Sequence, residues 1–113
     1  MSEFQNRAIE LLCARLGEDA VFDKNERRNL FLQEALQLFR AMGGSADTVR
    51  SQATAVYSKV PGEVVVKIGD VMNSLAGVGL AHDVDMVQAA YNRLDDGWKS
   101  IGAVPEKQAK RRF

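Results

Sequence analysis

The stretch Asn29–Arg40, NLFLQEALQLFR, decides the fold when it is set beside Val66–Leu75, VKIGDVMNSL. In the first, Leu32, Ala35, Leu36 and Phe39 recur at three- and four-residue spacing. In the second, Ile68, Val71, Met72 and Leu75 do the same. That spacing puts each set on one face of an α-helix. Each stripe is accompanied by a polar pair three residues apart, Glu34 with Gln37 and Lys67 with Asp70. Residues at i and i+3 lie one turn apart on the same side of a helix. Two such helices packed antiparallel would bring the four polar side chains towards one spot.

Outward from these two segments the chain reads as helices separated by clear stops. Glu3–Leu16 carries Phe4, Ala8, Leu11, Leu12 and Arg15 at helical spacing, and Gly17 ends it. Asp23 caps the next helix, with Glu26 at capping-box distance, and that helix runs to Met42 before Gly43-Gly44. Ser45 restarts a helix bearing Thr48, Val49, Ala53, Val56 and Tyr57, which Pro61-Gly62 breaks. A long helix from about Glu63 to Ala81 follows, and its Gly69, Gly77 and Gly79 are read as places of close helix–helix approach. Asp83 or Asp85 starts the last helix, Met86–Ile101, striped by Val87, Ala90, Leu94, Trp98 and Ile101. No alternating strand pattern and no repeat interrupts this series. The expected architecture is all-α, a bundle of four to five helices in a single domain spanning residues 1–113, with a polar basic tail at about 103–113.

Composition bounds the function. A chain of 113 residues with 46% apolar and 27% charged residues is that of an ordinary globular domain. Zero formal net charge gives no global electrostatic attraction for nucleic acid, and the local cluster Lys107–Arg112 reads most simply as a solvated tail. The single cysteine, Cys13, forms no intrachain disulfide and reads as a small buried residue. No secretory signal and no uninterrupted apolar run of about 20 residues is apparent. The expectation is a cytoplasmic protein without a membrane partner.

The blocks FLQEALQLFRAMG, VYSKVPGE, GDVMNSLAGVGLAHDVDM and LDDGWKSI resemble successive segments of the MazG-like, all-α nucleoside triphosphate pyrophosphohydrolases. The resemblance covers roughly Asn29–Lys110. That family carries E-E-x-x-E on one helix and E-x-x-D on a later one. The matching segments here are Gln33-Glu34-Ala35-Leu36-Gln37 and Lys67-Ile68-Gly69-Asp70, so Gln33, Gln37 and Lys67 stand where the family has glutamates.

The resemblance implies hydrolysis of a nucleoside triphosphate to monophosphate and pyrophosphate, with Mg2+ as cofactor if the site is active and none if it has decayed. It places Glu34 and Asp70 in the catalytic role and Glu34, Gln37 and Asp70 at the metal. Substrate contacts fall to Lys67, Asn92 and Lys99. It also implies a homo-oligomer.

The residues weigh against ordinary catalysis. Magnesium takes hard oxygen ligands, and an ammonium has no lone pair to offer. Glu34, Gln37, Lys67 and Asp70 together carry a formal charge of −1, against −4 for four acids. A lysine about 4 Å from a cation is repelled by roughly 4 kcal/mol per unit charge product at an effective dielectric near 20. Lys67 set between Glu34 and Asp70 would replace the metal, or else contact a phosphate as a point charge. Glu63 would assist a metal or pair with Lys67 one turn on. His82 reads as support for a helix terminus, and Trp98 and Tyr57 as core or subunit contacts rather than platforms for a base. Three functions follow: a weak or altered hydrolase, a nucleotide-binding homologue without turnover, and a structural or adaptor protein on the same fold.

Overall fold

The computed structural model describes residues 1–102, and all of their regular structure is helical. Six helices follow in order: α1 Glu3–Leu16, α2 Glu18–Val21, α3 Lys24–Ala41, α4 Ala46–Tyr57, α5 Val64–Ala81 and α6 Met86–Ser100. The all-α expectation holds. The helix number exceeds four to five because α2 is a single turn, too short to show any period. The basic cluster Lys107–Arg112 lies outside the described residues.

The caps explain the boundaries. Ser2, Asp23, Ser45 and Asp85 each accept a hydrogen bond from a first-turn backbone N–H, at 3.0–3.2 Å. Each satisfies a donor that the helix itself leaves open. Asp23 does not complete a capping box, because its own N–H donates to the carbonyl of Ala20 at 3.2 Å, an acceptor that α2 supplies. Asp85 starts α6, while Asp83 adopts a left-handed turn conformation at φ 55°. Gly43, at φ 93°, turns the chain out of α3. At Gly44 the Phe39 ring occupies the space that a Cβ would need.

Packing is concentrated at one end. α1 packs on α2 and α6, α2 on α3, and α5 on α6. Leu11 and Trp98, each 5% exposed, form the core between α1 and α6, with Ala14 and Leu94 against them. The close approach passes over Gly97, where a Cβ would come within 2.6 Å of Leu11 Cδ2 and 2.8 Å of Arg15 Nη2. Phe4 meets Tyr91 edge to face at 5.4 Å, and the Arg7 guanidinium lies over the same ring. Cys13 is buried here, as its size and polarity suggest.

The remaining helices are scarcely covered. Among the described residues α4 has no extensive helix partner. α3 has no buried residue and α5 only Gly79. The close approach expected at three glycines of α5 occurs at Gly79 alone, where a Cβ would meet the Val84 carbonyl oxygen at 2.9 Å. Gly69 and Gly77 face open space.

Candidate functional site

The candidate site lies where α3 and α5 face each other across open grooves. α3 turns Phe31, Glu34, Ala35 and Leu38 towards α5, which answers with Val71, Ser74, Leu75 and Val78. This is not the stripe read from the sequence. Leu36 and Phe39 instead line a groove against the start of α4, with Ala46 and Val49. α3 therefore has two apolar stripes: Ala35, which the sequence reading set with Leu32, Leu36 and Phe39, instead joins Phe31, Leu38 and Met42 in one that sequence reasoning passed over. Their four–three–four spacing was legible as a second helical face.

Glu34 sits on the α5-facing stripe, while Gln37 is exposed and lines neither of these two grooves. A neighbouring groove, sharing Phe31, is lined by Lys67 with Gly62, Val64, Ile68, Val71 and Met72. The Lys67 stem passes close over Gly62, where a Cβ would come within 2.8 Å of Cε. Its ammonium donates to Asp70 Oδ2 at 3.1 Å, an exposed ion pair one turn along α5. Such a pair contributes little to stability, about 0.3–0.5 kcal/mol. Its importance is positional: it places a cation against one of the two acids that remain.

Lys67 does not bridge the two acids as expected. Among the described residues its only ion pair is with Asp70, and no ion pair reaches Glu34. The Glu63–Lys67 pair also does not form. Glu63 is the N-cap residue of α5, its carbonyl accepts from the Lys67 N–H at 3.0 Å, and the side-chain ammonium turns onward to Asp70. Asn92 accepts from Gln88 Nε2 at 3.0 Å on the exposed side of α6. Asn92 and Lys99 line neither the groove of Glu34 nor that of Lys67.

His82 is the C-cap residue of α5, in keeping with its reading as a helix-end residue. Trp98 is core, and Tyr57 stands 88% exposed at the end of α4.

The donor set does not fit a magnesium ion. Among the described residues no group of three or more acids, histidines or cysteines is placed to hold a metal. Asp70 already has a cationic partner, and Gln37 offers only a neutral oxygen.

By length and composition α5 is long and apolar enough to cross a membrane. Lys67 and Asp70 interrupt the run, which is why the sequence shows no continuous apolar stretch. No protein-family model, no curated protein and no solved structure matches this chain, and the likeness to the MazG-like enzymes rests on the sequence blocks and the paired polar positions alone.

Proposed function

We propose that this chain is a MazG-like nucleotide pyrophosphohydrolase homologue whose magnesium-dependent hydrolysis is weak or lost. The observation that carries the reading is the Lys67–Asp70 ion pair at 3.1 Å. It sets a positive charge where the resembled motif has a metal-binding carboxylate. A divalent cation at Asp70 would have to displace or repel that ammonium. What the site retains is the ability to meet a polyphosphate: Lys67 is exposed and would exchange Asp70 for a phosphate oxygen, as lysines commonly do.

The uncovered apolar faces of α3, α4 and α5 favour a second element of the reading, self-assembly into a homo-oligomer. They also support an alternative in which the fold serves protein contacts alone. One experiment separates the readings: titration of magnesium with a panel of nucleoside triphosphates, following both binding and pyrophosphate release. Tight binding with negligible release is the expected result. Rapid release would establish the hydrolase, and absence of binding would leave the adaptor.

A further inference from the structure

We draw no further inference here: the strongest candidate, the open apolar groove between the C-terminal ends of α3 and α5 and the start of α6, carries nothing because Arg93 in its lining already pairs with Asp96 and nothing in the structure shows what covers it.

Discussion

Lys67 decides the chemistry open to the candidate site. A lysine three residues before Asp70 on a helix reaches its carboxylate readily, and the ion pair at 3.1 Å is the outcome. The pair neutralises one of two acids and leaves Glu34 alone on the α3 side of the groove. If the site descends from a metal-binding one, Lys67→Glu with Gln37→Glu restores the four-acid charge of −4. The double variant should then melt lower than wild type without metal, because like charges crowd one region. Magnesium should recover that loss, since a ligand held only by the folded state stabilises it. Thermal melts of both proteins with and without magnesium make the comparison, and equal magnesium responses would reduce Glu34 and Asp70 to ordinary helix-surface acids. Lys67→Glu alone should show a smaller version of both effects.

Among the described residues, α1 and α6 hold the best-buried contact, so their substitutions should be the most damaging. Trp98→Ala removes the largest core side chain and should cost about 3–5 kcal/mol in urea unfolding. Gly97→Ala forces a Cβ onto Leu11 and Arg15, and should destabilise despite alanine's better helix propensity. A Gly97→Ala protein more stable than wild type would show that the two helices separate freely. The cap at Asp85 is a milder case. Its carboxylate accepts from the N–H groups of Val87 and Gln88, and Asp85→Ala should cost about 1 kcal/mol. Tyr57→Ala, by contrast, should leave the unfolding midpoint of an isolated chain nearly unchanged, because that ring is 88% exposed. A loss of more than about 1 kcal/mol at high protein concentration would mean that an assembled partner covers α4.

At the scale of the whole molecule, α3, α4 and α5 stand with almost none of their surface buried. α4 is a 12-residue helix with no extensive partner, and isolated helices of that length are marginal in water. α3 and α5 are 18 residues each and nearly bare of cover. A chain built this way should gain stability by association. Its melting temperature should therefore rise with protein concentration, while its circular dichroism stays helical. A melting temperature independent of concentration over two decades would mean that the open helices are stable unaided.

The sequence alone marked where the longer helices begin and end, because capping and breaking are local; it passed over the single turn of α2 and left Asp83 and Asp85 as alternatives at the start of α6. Asp23, Ser45 and Asp85 each bond to N–H groups two or three residues on, and Gly43-Gly44 and Pro61-Gly62 interrupt the chain by backbone geometry. The same locality made the Lys67–Asp70 spacing visible, and with it the shortage of acids. Which apolar face is covered, and by what, was decided only in the tertiary structure. Periodicity shows that a face is apolar without naming its neighbour. On α3 it offered two stripes, and packing assigned Leu36 and Phe39 to α4 and Phe31 and Leu38 to α5. On α5, apolar nearly all round, it could not separate the face that meets α3 and α6 from the one left bare. The path of the Lys67 stem over Gly62 was likewise visible only in the tertiary structure, while its pairing with Asp70 follows from their spacing one turn apart on α5.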